Sequence, residues 1–303
     1  MKFLMFSDLH YYPGVFYGDD LEIARSLIRR AVENGCEFML HAGDLCHGPS
    51  LVPELMELLD ASPVPVYHCL GNHDTDSTSL ADTLAAYHMP AGHYFFDQGD
   101  YRFIVMDPNH CHLDGEYVHY DVGNYYATPT ARDATPPEQL AWMAEVIDAA
   151  PGHCVILSHS SYEREDNAKE YREFQKIVRE ANEKVPNKVL LVMNGHLHRD
   201  HRAIVDNVLY WDVNAVNYDW VAGGDHTGYP EELTKKWKLL NNTVAYTAPL
   251  SAVVTMEGNR IEIEGSASEM LLGVTRETIG RPRLDSAGRS VRPQIQSCKI
   301  TLG

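Results

Sequence analysis

The amino-acid sequence predicts a layered α/β fold, with either one mixed sheet or two sheets packed together and helices outside. Short apolar runs alternate with amphipathic stretches over about the first 200 residues, and strand hairpins follow them. The 303 residues are 44% hydrophobic and 22% charged, which is the balance of an ordinary globular chain. We therefore expect one large α/β domain, or one domain with an appendage.

Each predicted element depends on its hydrophobic period and on the turn residues beside it. Apolar runs predict strands at residues 2–6, 37–40, 64–70, 93–96, 101–106, 154–157, 189–193, 203–205, 208–211, 252–256 and 260–264. Apolar residues at helical spacing predict helices around residues 21–31, 51–59, 80–87, 140–147 and 171–181. Asp206-Asn207 and Gly258-Asn259 predict hairpin turns. Thr135-Pro136-Pro137-Glu138 predicts a capping box that opens the fourth helix.

Charge and composition exclude several classes of protein. The net charge of −18 disfavours nucleic acid as a partner, because such a field repels polyanions. Uncharged apolar runs reach only strand length, which excludes a membrane-spanning helix. Six cysteines without paired spacing indicate reduced thiols, and Asp8 interrupts the apolar N-terminus, so we expect a cytoplasmic protein. The sequence is compatible with either a monomer or a homo-oligomer.

Five polar motifs each follow an apolar run, where sites assemble in α/β sheets. They are Ser7-Asp8-Leu9-His10, Ala42-Gly43-Asp44, Gly71-Asn72-His73-Asp74, Ser158-His159 and Gly195-His196-Leu197-His198. Residues i and i+2 of an extended chain point to one side, so we expect the first and last motifs to direct side-chain pairs at an ion. Each motif alone has a structural explanation, such as a helix cap or a turn. Their joint occurrence favours a metal site.

These motifs resemble those of the calcineurin-like metallophosphoesterase superfamily over roughly residues 1–215. The final Gly-His-x-His resembles the branch of class III cyclic-nucleotide and glycerophosphodiester phosphodiesterases. The resemblance implies a β-sandwich of two mixed sheets flanked by helices, in four αββα layers, with a catalytic domain at residues 1–264. Residues 265–303 would form a C-terminal tail, packed or partly mobile; they carry six basic and three acidic residues.

The resemblance also implies the roles of individual residues. One metal ion would be bound by Asp8, His10 and His198. Asp44 would bridge to a second ion, and the ligands completing that second site would be Asn72, His159 and His196. The catalytic residues would be His73, beside the metals, and Asp74, which would orient it.

The implied activity is hydrolysis of a small-molecule phosphate ester by a metal-activated hydroxide, and a phosphodiester is the favoured substrate. The nitrogen and oxygen ligands suit two ions of Mn, Fe or Zn. The alternatives are a phosphomonoesterase, a nucleotide pyrophosphatase or, in a different class, a non-catalytic metal-bound scaffold. Purple acid phosphatases carry a tyrosine ligand where this chain has His47, so a ferric site is less favoured. His47 itself is either a pocket residue or a surface histidine.

Two segments are candidates for substrate recognition. The insertion 108–134 is rich in histidine and tyrosine, and long loops in compact domains are often functional. Its candidate substrate-binding residues are His110, Tyr125 and Tyr126; the alternative is a packed surface loop. The stretch 214–246 would supply another wall of the site or an oligomer contact. His41 and His68 lie within predicted strands and are expected in the core or behind the site.

Overall fold

Two six-stranded sheets pack face to face in the computed structural model, with helices on both outer faces. The structure describes residues 1–18, 21–165, 167–221, 223–283 and 290–303. This arrangement is the four-layer αββα sandwich, so the predicted fold class is confirmed.

The described elements follow the predicted order. The α-helices are α1 Leu21–Glu33, α2 Pro53–Asp60, α3 Leu80–Ala86, α4 Pro137–Ala149, α5 Tyr171–Lys184 and α6 Glu231–Lys236. The strands up to the last metal-type motif are β1 Lys2–Phe6, β2 Phe38–His41, β3 Val66–His68, β4 Tyr94–Gln98, β5 Tyr101–Val105, β6 His110–Leu113, β7 Glu116–His119, β8 His153–Leu157 and β9 Val189–Asn194. The later strands are β10 His201–Val205, β11 Val208–Asp212, β12 Tyr218–Trp220, β13 Thr243–Ala245, β14 Ala252–Glu257, β15 Arg260–Gly265 and β16 Cys298–Thr301.

Each sheet contains a run of neighbouring parallel strands. The first sheet has the order β16-β15-β14-β1-β2-β3, with β1, β2 and β3 parallel. The second has the order β10-β11-β9-β8-β5-β4, with β5, β8, β9 and β11 parallel. The carboxyl ends of parallel strands share one edge of a sheet, so the motifs that follow β1, β2, β3, β8 and β9 meet there.

Alternate faces of the central strands fill different layers of the core. Phe3 and Phe103 pack edge to face between the two sheets, with ring centroids 5.6 Å apart. Leu4 points the other way, toward the layer formed by α1, α2 and α3. Ile104 likewise faces the layer formed by α4 and α5. Burial on both faces explains why these strands read as continuous apolar runs in the sequence.

Three local features differ from or extend the predictions. The capping box is wrong: the Thr135 hydroxyl lies 2.6 Å from the Tyr162 hydroxyl, and Pro136 takes the N-cap position of α4 without a side-chain cap. The insertion 108–134 contains the hairpin β6–β7 and a short 3₁₀ helix. The tail contributes β16, which extends the first sheet by pairing with β15. None of the helices described here combines the length and apolar character needed to cross a bilayer.

Candidate metal centre

Three of the five polar motifs leave their strands through residues in the left-handed region. Asp8, His10, Asp44, His196 and His198 all have positive φ, between 48° and 66°. The prediction that extended backbone brings i and i+2 together is therefore wrong, although the side chains do converge. Positive φ is unfavourable for residues with a Cβ, and such strain concentrates at functional sites, where surrounding contacts hold it.

One group of side chains forms beyond β1 and β9. The Nε2 atom of His198 lies 3.3 Å from Oδ1 of Asp8 and 3.2 Å from Nε2 of His10. All three side chains are almost completely buried. The backbone N–H of His196 donates to both carboxylate oxygens of Asp8 at 3.1 Å, which fixes that carboxylate. Their ligand-type atoms all lie within 4.8 Å of one another.

A second group forms beyond β2, β3, β8 and β9. The Nε2 atom of His159 lies 3.1 Å from Oδ2 of Asp44, 3.2 Å from Oδ1 of Asn72 and 3.2 Å from Nδ1 of His196. The same Oδ2 atom of Asp44 lies 3.6 Å from Nε2 of His10 in the first group. Asp44 thus stands between the two groups. The structure brings together all seven residues that the sequence nominated as ligands.

Backbone carbonyls orient two of these imidazoles. The Nδ1 atom of His159 lies 2.8 Å from the Ala42 carbonyl, and that of His198 lies 2.9 Å from the Tyr218 carbonyl. When Nδ1–H donates to a carbonyl, the lone pair on Nε2 faces the cluster, as in metal-binding histidines. Gly43 makes this possible, because a Cβ there would collide with the His159 ring and its φ is +91°.

The electrostatics of the centre favour a cation. Burial opposes a charged imidazole at His159, but the nearby Asp44 carboxylate outweighs it and raises the pKa of His159 to about 10. At His10, burial dominates and holds the pKa well below its ordinary value. Buried carboxylates and imidazole lone pairs that converge without thiolates form a donor set suited to Mn, Fe or Zn, so the residues present fit a two-metal centre.

Asp74 lies beneath the site and does not orient His73. Its carboxylate oxygens accept hydrogen bonds from buried donors in two neighbouring loops and at the end of α3. These donors are the backbone N–H groups of Gly71, Asp44, Leu45 and Cys46 and the hydroxyl of Tyr87. The prediction for Asp74 is therefore wrong: the turn after Gly71 directs its side chain inward, where it holds the Asp44 loop.

The carboxylate that contacts His73 belongs to Asp76. Oδ2 of Asp76 lies 2.8 Å from Nδ1 of His73 and 2.9 Å from Nδ1 of His47. The Tyr125 hydroxyl donates to Asp76 Oδ1 at 2.7 Å, and the Tyr126 hydroxyl donates to Oδ2 at 3.0 Å. Sequence reasoning missed Asp76; the available signal was a carboxylate three residues after His73. His47, left open above, is a buried residue of this network.

The side chains around His73 change the pKa of its imidazole. Burial opposes protonation, but the carboxylates of Asp44 and Asp76 together raise the pKa of His73 above its ordinary value. The hydrogen bonds from His47, His73 and Tyr125 outweigh burial at Asp76 and lower its pKa. Because Nδ1 of His73 is held by Asp76, its Nε2 is the ring nitrogen available to a ligand.

A cavity of about 500 Å³ opens over the two groups. Its walls include His10, Asp44, His73, His196 and His198 from the centre, and Trp220, Arg276, Pro282 and Arg283 from later in the chain. Arg276 and Arg283 both bind the buried Asp219, at 2.6 Å and 2.8 Å. Sequence reasoning missed both arginines, and the only signal was the basic composition of the tail.

The three candidate substrate residues of the insertion differ in their exposure and in the residues that they contact. Tyr125 is buried, whereas Tyr126 is 53% exposed and its hydroxyl lies 3.2 Å from Nδ1 of His73. His110 turns to Asp107 and His119 and is not among the described residues that line the cavity. His41 and His68 are buried behind the site, with their Nδ1 atoms 3.3 Å apart.

Comparisons with known proteins agree with this geometry. The profile described as calcineurin-like phosphoesterase matches residues 1–200. A dimetal phosphatase from Danio rerio (LOC 393393) superposes with a TM-score of 0.63 at 13% identity, covering 100% of this chain and 99% of that one. GAP50, the anchor in the inner membrane complex of Plasmodium, gives a TM-score of 0.55 at 11% identity, covering 100% and 89%. At these identities the likeness shows the fold. No curated protein matches by sequence.

Proposed function

This chain belongs to the calcineurin-like phosphoesterase family, which uses a dinuclear metal centre, and from that premise we propose that it hydrolyses a small-molecule phosphodiester. The observation that carries the proposal is the position of Asp44, whose Oδ2 atom lies within 3.6 Å of His10 and 3.1 Å of His159. One carboxylate oxygen between two groups of metal-type ligands is the arrangement that a pair of bridged ions requires.

We assign the ligands as the family resemblance suggests. Asp8, His10 and His198 would hold one ion, Asn72, His159 and His196 would hold the other, and Asp44 would contact both. Mn, Fe and Zn are the proposed metals, since every donor is nitrogen or oxygen. Such an ion pair supplies Lewis-acid activation of water and neutralises charge on the phosphoryl oxygens.

His73 is proposed to donate a proton to the leaving oxygen. Its ring lines the cavity, and its Nδ1 is tied to Asp76, which leaves Nε2 free to face the ester. The Asp76 carboxylate on Nδ1 stabilises the protonated form of this histidine, which a general acid requires. Asp76 is the positioning residue for His73, and His47 and Tyr125 support Asp76 from the other side.

The cavity wall supports an anionic substrate with an organic substituent. Arg276 and Arg283 share the single carboxylate of Asp219, so this wall carries one net positive charge. Trp220 and Pro282 extend the wall with apolar surface, which suits the second substituent of a diester. The exposed ring of Tyr126 offers a further contact beside His73. The arginine pair also favours the alternative of a nucleotide pyrophosphatase, whose substrate has two phosphates.

The test compares hydrolysis of bis(p-nitrophenyl) phosphate, p-nitrophenyl phosphate and a nucleotide pyrophosphate by chelated protein given Mn²⁺. We expect turnover that depends on metal, with the highest kcat/KM for the diester. The His73→Gln variant is expected to lose about 10²–10⁴-fold in kcat while keeping its metals. The matched control is His88→Gln, since His88 is exposed and does not line the cavity.

Each contrary result rejects a specific part of the proposal. No metal-stimulated turnover with any phosphate ester would reject the enzymatic function and favour a metal-bound scaffold, a role compatible with the fold because GAP50 is described as an anchor. Preferred hydrolysis of the monoester or the pyrophosphate would reject the diester assignment alone. Equal activity of His73→Gln with full metal content would reject the role of His73.

A further inference from the structure

A separate group of metal-type side chains lies where the insertion leaves the second sheet. Asp107 follows the end of β5 by two residues. His110 and His119 face each other across the β6–β7 hairpin, where they are register partners with ring centroids 4.6 Å apart. A carboxylate oxygen of Asp107 and ring nitrogens of both histidines lie within 4.8 Å of one another. None of these residues belongs to the phosphoesterase centre described above.

The carboxylate and one histidine are already oriented as ligands. Asp107 is 1% exposed, and its Oδ1 accepts hydrogen bonds from the backbone and side chain of Asn109 at 3.2 Å and 2.9 Å. Nδ1 of His119 lies 2.6 Å from the carbonyl of Tyr120, so its Nε2 faces Oδ2 of Asp107 at 2.6 Å. A carbonyl on Nδ1 and an Nε2 directed at a carboxylate are the arrangement that also orients His159 and His198.

The third member of the group, His110, differs from the other two in its hydrogen bonding. Nδ1 of His110 is buried and has no hydrogen-bond partner among the described residues. A buried polar atom without a partner costs about 1–3 kcal/mol, so each such atom in a native fold calls for a specific reason. A simple ion pair between Asp107 and protonated His119 would fasten the hairpin, but it gives His110 no role. A bound cation uses all three side chains.

We propose that Asp107, His110 and His119 bind a divalent transition-metal ion, with zinc the best match to two imidazoles and a carboxylate. The ion stands apart from the phosphoesterase centre and does not depend on its activity. Its place in the fold gives it a structural role: it clips the β6–β7 hairpin to the end of β5. The same insertion carries Tyr125 and Tyr126, so the clip holds in place the segment that contacts Asp76.

The experiment counts zinc in the full-length protein by elemental analysis after dialysis against buffered Zn²⁺. His110→Phe keeps a ring of similar size and leaves the contact between Asp107 and His119 intact. The matched control is His112→Phe, because His112 lies on the same strand, is exposed and stacks on Tyr117 outside the group. We expect His110→Phe to bind one ion fewer per chain than the wild type, while His112→Phe binds the same number.

A second measurement separates this site from the phosphoesterase centre. In the Asp44→Ala background one zinc ion is expected to remain, and adding His110→Phe is expected to remove it. Zinc should also raise the Tm of Asp44→Ala but not that of the double variant, because binding to the folded state alone stabilises it. Equal zinc content in wild type and His110→Phe, or no zinc-dependent rise in the Tm of Asp44→Ala, would overturn the proposal. Both readouts are independent of catalytic turnover.

Discussion

Substitution of Asp74 by asparagine tests how the protein holds the Asp44 loop. The carboxylate of Asp74 is fully buried and serves five donors. Oδ2 accepts from the backbone N–H groups of Gly71 at 2.7 Å and Asp44 at 2.9 Å. Oδ1 accepts from those of Leu45 at 2.9 Å and Cys46 at 3.3 Å, and from the Tyr87 hydroxyl at 2.7 Å. An asparagine has the same shape but only one acceptor oxygen.

The magnitude follows from the donors that lose their acceptor. With the amide oxygen in the Oδ1 position, the NH₂ group of Asp74→Asn would face the N–H groups of Gly71 and Asp44. Two buried donors without acceptors cost about 1–3 kcal/mol each, or about 2–6 kcal/mol together. At about 2–4 °C per kcal/mol for a large domain, Tm should fall by roughly 4 °C or more. Metal affinity should fall too, because the Asp44 loop loses its anchor.

Urea unfolding of the chelated protein measures this cost without the contribution of bound ions. Asp148→Asn is the matched control, since Asp148 is exposed on α4 and its nearest cation, Nζ of Lys184, is 3.3 Å away. We expect the control to stay within about 0.5 kcal/mol of the wild type. If Asp74→Asn also stayed within that margin, the buried carboxylate would not be the anchor that its hydrogen bonds indicate.

Three further variants probe the centre and the core. Asp44→Ala should lower the metal content of both sites of the centre, because one carboxylate oxygen stands between them; two ions retained on elemental analysis of Asp44→Ala in the His110→Phe background would disprove the bridge. Asp76→Asn should reduce kcat with little change in KM, but by less than His73→Gln does; an unchanged kcat would refute its positioning role. Burial holds the pKa of His68 well below 6.5, so stability is present above pH 6.5 and is lost as pH falls below it. In His68→Phe the stability loss on acidification should be shallower by up to about 1.4 kcal/mol per pH unit; an unchanged slope in urea titrations would refute this.

Much of the fold could be predicted from local pattern. Central strands such as β1 and β9 are buried on both faces, so they appear as uninterrupted apolar runs. The hairpin β6–β7 was missed because its residues are mostly polar and exposed, including His112 and Glu116. The capping box failed because Thr135 has a competing long-range partner, the hydroxyl of Tyr162, which no local pattern reveals.

The sequence predicted those site residues that are metal-ligand types and directly follow a predicted strand. Asp8 and His198 were nominated on that basis, and the structure brings them to 3.3 Å. Contacts made across the fold were not predictable. Arg283 approaches the centre from the tail, and its partner Asp219 is 64 residues away in sequence. Proximity in sequence also misled: Asp74 is adjacent to His73, yet the turn sends their side chains in opposite directions.

Anomalous diffraction from crystals grown with Mn²⁺ tests the central claim most directly. We expect two peaks at the edge shared by the sheets, one between Asp8, His10 and His198, and one beside His159 and His196. Oδ2 of Asp44 should lie within coordination distance of both. A single peak, or two peaks that share no oxygen of Asp44, would contradict the assignment of a bridged dinuclear centre to these side chains.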